Sequence, residues 1–134
     1  MAQAEGLSIP FEGPEKINSA ILETFAYQPP EIGVKNLPDQ VVTYETKEFS
    51  AVCPFSGLPD IATVIIEYVP TALVLELKSY KYYLLSYRSV GIFQEHATQT
   101  IYRDLHQALA PKKLKVTTVY NTRGGIDTTC VIAG

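Results

Sequence analysis

Val41-Val42-Thr43-Tyr44-Glu45-Thr46-Lys47-Glu48-Phe49-Ser50-Ala51-Val52-Cys53-Pro54-Phe55-Ser56-Gly57-Leu58-Pro59-Asp60 is the stretch that decides the fold. Val42, Tyr44 and Thr46 alternate with Thr43, Glu45 and Lys47, and Phe49, Ala51 and Cys53 continue a period of two. That period belongs to a strand with one face turned to a core. The slip in phase at Lys47 predicts a β-bulge. Residues 54–60 are a turn by composition. Residues 62–69 are rich in β-branched side chains and predict a second strand, antiparallel to the first.

Working downstream, Pro70 ends this strand and residues 72–77 predict a third. Tyr80, Leu84 and Tyr87 then recur at helical spacing, up to a break at Gly91. Phe93, Ala97, Ile101, Leu105 and Ala108 mark a second helix, ended by Pro111. Leu114, Val116, Thr118 and Tyr120 alternate as a strand, Arg123-Gly124-Gly125 turns, and residues 127–132 return as the last strand. The order predicts an α+β fold, an antiparallel sheet with two helices on one face. So small a sheet leaves open edges, which oligomerisation covers. Upstream, residues 1–40 are punctuated by Pro10, Pro14, Pro29, Pro30 and Pro38, with Gly6, Gly13 and Gly33. They read as an arm of the same single domain, whose body spans 41–134. The apolar island 17–27 reads as a helical turn or a docked extended segment.

Composition narrows the classes of function. At 134 residues, 46% hydrophobic and 19% charged, the chain suits one domain that needs no staple. A net charge of −3 argues against a general nucleic-acid surface. Two cysteines are too few for a disulfide framework or a zinc finger and fit a reducing cytosol. The first residues lack a signal-peptide pattern, and no apolar run approaches the roughly 18 residues of a membrane span. A soluble, cytoplasmic protein is expected.

Cys53 closes the first strand and opens the turn, a place where a side chain is both held and reached. A thiolate is a strong nucleophile even at modest population, although a lone cysteine in a sheet equally serves as a small hydrophobe. Asp60 lies seven residues on, across a turn that folds back, so its carboxyl can move protons at the same centre or simply stabilise the turn. Lys78 and Lys81 are three apart and share a helix face; they suit a phosphate or form an ordinary solvated surface. Glu95, near the start of the second helix, is favoured there by the helix dipole. It also matches the paired donors of an amidine edge such as that of guanine. His96 and His106 show no evident role. There is no Gly-x-Gly-x-x-Gly after a strand, no Walker loop and no metal-ligand set. The residues alone describe a cysteine enzyme with nearby acids and a basic patch, or a non-catalytic β-rich assembly module.

The run Glu76-Leu77-Lys78-Ser79-Tyr80-Lys81-Tyr82-Tyr83 resembles the signature of the NADPH-dependent 7-cyano-7-deazaguanine reductases, the nitrile reductases of queuosine biosynthesis. Cys53-Pro54 with Asp60 upstream, Phe93-Gln94-Glu95 downstream and Arg123-Gly124-Gly125 near the end agree in order and spacing with the short, single-domain type, over roughly residues 20–130. The resemblance implies a tunnelling fold (T-fold), in which sheets of several subunits join into a barrel with active sites between subunits. It implies reduction of the nitrile of 7-cyano-7-deazaguanine to the amine of 7-aminomethyl-7-deazaguanine with two NADPH, a step toward queuosine in tRNA, with no direct tRNA binding, no metal and no membrane. By the same resemblance, Cys53 captures the nitrile as a thioimide and Asp60 supplies protons. Leu75, Glu76, Leu77, Gln94 and Glu95 contact the deazaguanine, and Lys78, Lys81 and Arg123 face the NADPH phosphates. The sequence departs at Gln94, where many members have His. His96 does not replace it, because two positions on a helix point roughly 200° apart. Cys130 takes no family role. A zinc-type cyclohydrolase of the same superfamily lacks its ligands here, and an amidine-forming relative would lose the NADPH signature.

Overall fold

Alternation in the first hairpin becomes alternation in burial. The structure, a computed structural model, describes residues 9–27 and 37–134. Among them, β1 spans Thr24–Ala26, β2 Val42–Val52, β3 Pro59–Val69 and β4 Leu73–Leu75. Helix α1 covers Leu77–Leu85 and α2 Gln94–Leu109, followed by β5 at Lys113–Arg123 and β6 at Ile126–Ala133. Strands β2, β3, β5 and β6 form one antiparallel sheet in that order. Phe49 and Ala51, Ala62 to Tyr68 at every second residue, and Leu114 to Tyr120 at every second residue all turn to one face and are buried. The bulge expected near Lys47 is present, since the β2–β3 register shifts between Thr46 and Phe49.

Both helices lie on that buried face. Ala97, Ile101, Leu105 and Leu109 of α2 and Tyr80, Tyr83 and Leu84 of α1 complete the core cluster. Each large aliphatic side chain so buried contributes about 1.5–3 kcal/mol. Tyr83 and Tyr87 would strand their hydroxyls in this core, but Tyr83 donates to Asp104 at 2.7 Å and meets the Tyr87 hydroxyl at 2.7 Å. Arg103 balances the buried carboxylate at 3.1 Å, so the polar chain is satisfied end to end. Helix α2 stops at Ala110, which takes a left-handed φ of 44° and donates its N–H to the His106 carbonyl before Pro111. Among the described residues the opposite sheet face is open, with Ile61, Val119 and Val131 exposed, and β2 and β6 are the outer strands of the sheet. No helix among the described residues is long and apolar enough to cross a membrane.

Four expectations need correction. Pro59 and Asp60 belong to β3 rather than to the turn, because the hairpin zips on through two more pairs, Ala51 opposite Asp60 and Val52 opposite Pro59. The third strand is only Leu73–Leu75, and it pairs with β1 in a separate two-stranded sheet. Leu77 therefore starts α1, with Glu76 as its cap, because the Glu76 carboxylate accepts the Ser79 N–H at 2.7 Å. Helix α1 ends at Leu85 and not at Gly91, since bonds from Tyr87 to Leu84 and from Arg88 to Leu85 tighten the chain into turns. The island at 17–27 combines a 3-10 turn at Ser19–Ile21 with β1. Gly6, Pro29, Pro30 and Gly33 of the arm lie outside the described residues.

Candidate active site

Three strand ends meet where Cys53 sits. Cys53 follows the last residue of β2, Asp60 is the second residue of β3 and Arg123 is the last of β5. Ala51 opposes Asp60 across the hairpin, and Cys53 lies two residues beyond Ala51, so both functional side chains emerge on the helix-covered face. The turn closes through Cys53 N–H to the Leu58 carbonyl and Gly57 N–H to the Cys53 carbonyl, each 2.9 Å. Gly57 takes φ +72°, the left-handed conformation that a side chain resists.

Arg123 reaches across the sheet and binds the Asp60 carboxylate at 2.6 Å, with Asp60 itself 3% exposed. The same guanidinium stands beside the Cys53 sulfur. The thiol is lowered from its ordinary value to about 7. The Ser56 side chain contributes most, then the Ser56 backbone; desolvation opposes them, and Arg123 and the Phe55 backbone add to them. Cys53 is 8% exposed, yet its cover is its own turn near the surface rather than depth, which keeps desolvation from dominating. With the thiol lowered to about 7, about half of it is thiolate at neutral pH, beside the buried carboxyl group of Asp60. Alkylation of Cys53 should therefore rise with pH through a midpoint of about 7. Ser56→Ala should move that midpoint upward, toward the roughly 8.5 of a free thiol, as read by mass spectrometry of the Cys53 peptide. An unmoved midpoint would remove Ser56 from the site.

Gln94 and Glu95 open α2 at this same end. The Phe93 ring, just before them, packs edge-on to Phe55 of the nucleophile turn at 5.9 Å. Tyr120 lies near this group, its phenol pushed up first by burial and then by the negative charges of Asp60, Cys130 and Glu95. Leu75, Glu76, Leu77, Lys78 and Lys81 lie elsewhere. Leu75 is wholly buried, its N–H bound by the Tyr68 hydroxyl and its carbonyl by the Tyr44 hydroxyl. Tyr44 is nine residues before Cys53, roughly 25–30 Å along β2. Leu77 is exposed, Lys78 lies 6.0 Å over the Tyr82 ring, and Lys81 lines a cavity of about 250 Å³ between β2 and α1. One protomer thus brings together Cys53, Asp60, Arg123, Gln94 and Glu95, and holds the other five apart from them, between β2 and α1.

A family model described as QueF-like protein matches residues 59–134. A 7-cyano-7-deazaguanine reductase from Thermotoga petrophila, named as NADPH-dependent, is 48% identical over 130 residues, covering 96% of this chain and 89% of that protein. The chain belongs to the QueF-like family. A relative of the same name from Caldicellulosiruptor bescii is 50% identical over 119 residues, covering 89% of this chain and 86% of that protein. Among solved structures, the archaeosine synthase QueF-Like in its apo form matches with a TM-score of 0.66 and 28% identity, over 69% of this chain and 91% of that one. Two contributors to this QueF-like site escaped the reading of the sequence. Ser56 carried a signal, three residues after Cys53 and directly before a glycine that lets the turn fold back. The pairing of Arg123 with Asp60, 63 residues apart, carried none.

Proposed function

We propose that this QueF-like protein reduces the nitrile of 7-cyano-7-deazaguanine to the primary amine with NADPH, through a thioimide on Cys53. One observation carries the reading: a thiol lowered to about 7 shares Arg123 with a buried carboxyl group. The curated relatives, 48–50% identical, are named for this reductase activity. The Cys53 sulfur adds to the nitrile carbon while the thiol proton passes through the Asp60 carboxylate to the nitrile nitrogen, giving the thioimide. Bound NADPH supplies hydride, twice. After the first reduction and protonation of the nitrogen, the carbon–sulfur bond breaks, Cys53 leaves as thiolate, and an imine remains held in the site. The second reduction, with one more proton, completes the amine. Covalent capture keeps the half-reduced carbon in place between the two hydride deliveries.

Glu95, exposed on the first turn of α2, is assigned to the amino and ring N–H donors of the deazaguanine, with Gln94 beside it. Lys78 and Lys81 fit a polyanionic dinucleotide, since among the described residues neither is engaged in a salt bridge. Arg123, assigned to phosphate by the resemblance, is placed here at Cys53 and Asp60, and its proposed role is to hold both. Glu76 carries a capping duty through one carboxylate oxygen, leaving the other for ligand. Because the two groups of residues lie apart within one protomer, the complete site is assigned to a junction with a second copy of the chain. The open sheet edges and exposed outer face support such an assembly into a barrel.

NADPH absorbance loss on adding 7-cyano-7-deazaguanine tests the reading, with NADH in parallel. Two NADPH consumed per nitrile is the expected result. A covalent Cys53 adduct without cofactor consumption would instead point to the amidine-forming chemistry of a thioimide relative. Neither signal from folded protein would overturn the proposal.

A further inference from the structure

The turn that carries Cys53 is closed by its own backbone bonds but sends neither of its large apolar side chains into the core. Phe55 is 88% exposed and Leu58 53%, so neither anchors the turn in the core. Gly57 is nevertheless buried, and Ile9 is what covers it. A Cβ at Gly57 would stand 2.7 Å from the Ile9 carbonyl oxygen. The chain leading on from Ile9 is clamped beside the active-site end of the sheet. Glu12 N–H donates to the Ser89 carbonyl at 2.7 Å, and Gly91 N–H donates to the Glu12 carbonyl at 2.8 Å. The segment so held is itself bonded to the end of β2, Val52 N–H to Val90 and Ile92 N–H to Val52, at 2.9 and 3.1 Å. Between these bonds the Phe11 ring lies against Gly91, where a Cβ would collide with it. Ile9 and Phe11 are 45% and 42% exposed, so they are not core residues; what each covers is a glycine on one side of the nucleophile.

We propose that residues 9–12 form a strap that positions the nucleophile turn, Ile9 seated on Gly57 and Phe11 on Gly91. In doing so it keeps the Cys53 sulfur in register with Ser56 and Arg123. The inference rests on reading Cys53 as the nucleophile; the contacts themselves do not. Backbone entropy favours a loosened turn wherever side-chain burial does not oppose it. Catalytic geometry tolerates displacements of only about 0.5 Å. Ile9 and Phe11 are therefore positioning residues, acting through the glycines they cover. The charged groups at Cys53 are Arg123 and Asp60, neither of them on the strap, and Glu12 engages the neighbouring segment through its backbone.

The test compares the full-length protein with Ile9→Ala/Phe11→Ala, measuring iodoacetamide alkylation of Cys53 against pH by mass spectrometry alongside the thermal midpoint. Loss of the strap should move the alkylation midpoint from about 7 toward about 8.5. Allowing for the greater nucleophilicity of a more basic thiolate, the variant should react about 3-fold slower at pH 7 and about 4-fold faster at pH 9.5. Simple exposure of the thiol would speed the reaction at every pH, so the reversal reports position. Gly91→Ala should reproduce the pattern by displacing the Phe11 ring, and should add nothing once Phe11 is already alanine. An unmoved midpoint in the folded double variant would overturn the strap. Global unfolding of Phe11→Ala alone would overturn it as well, because a strap holds a turn and not the core. Alkylation needs no nitrile, so a failed nitrile reaction with an intact pH reversal would sink the reductase reading and leave the strap standing.

Discussion

Cys53→Ala is expected to abolish the covalent adduct with 7-cyano-7-deazaguanine and to lower turnover by at least about 10⁴-fold, the scale seen when a nucleophile is removed from a working site. The size follows from what the sulfur does. In the proposed mechanism it holds the nitrile carbon as a thioimide through the first reduction, and no neighbour replaces it. Cys130, the other cysteine, is half-buried on β6 opposite Thr118, away from the turn. The fold should survive, since Cys53 lies in a turn closed by backbone bonds and its loss removes one shallow sulfur, about 1 kcal/mol or less. Intact-mass measurement after incubation with the nitrile checks the first claim. A mass increase matching the nitrile on the alanine variant would remove Cys53 from the mechanism.

Asp60→Asn should lose about 10²–10⁴-fold in turnover while Cys53 remains open to alkylation. The carboxyl group is 3% exposed and held by Arg123 at 2.6 Å, so an amide of the same shape retains an acceptor for the guanidinium and keeps the hairpin end folded. What it lacks is a carboxylate that can take the thiol proton and pass it on as the nitrile nitrogen gains charge. The split between an alkylatable thiol and a slow reaction with nitrile distinguishes proton delivery from a general disturbance of the turn. Single-turnover adduct formation and iodoacetamide labelling, measured on the same preparation, decide it. Near-normal adduct formation and turnover would leave Asp60 as a structural partner of Arg123 alone.

The candidate site was legible in unequal parts. Cys53 and Asp60 flank a single Pro/Gly-rich turn, so local pattern was enough to bring them together. Gln94 and Glu95 were placed correctly at a helix start, because Ala97, Ile101 and Leu105 set the phase of that helix. Arg123 was legible as a conspicuous cation beside two glycines but not as the partner of Asp60. Glu76 was read as a residue for ligand, and the structure adds its cap on α1, an interaction that depends on where the helix begins. That boundary was misread when residues 72–77 were taken as one strand.

By itself, then, the sequence determined the period-two strands, the phase of the two helices, the bulge near Lys47 and the turn that presents Cys53. Each of these is dictated by residues within a few positions of one another, through side-chain alternation, backbone preference and turn chemistry. Tertiary structure alone decided that β4 leaves the main sheet to pair with β1, that Arg123 closes on Asp60, and that Ile9 and Phe11 rest on Gly57 and Gly91. Those contacts join residues tens of positions apart, and their register is set by how the sheet and helices share one core, a collective choice of packing that local periodicity does not encode.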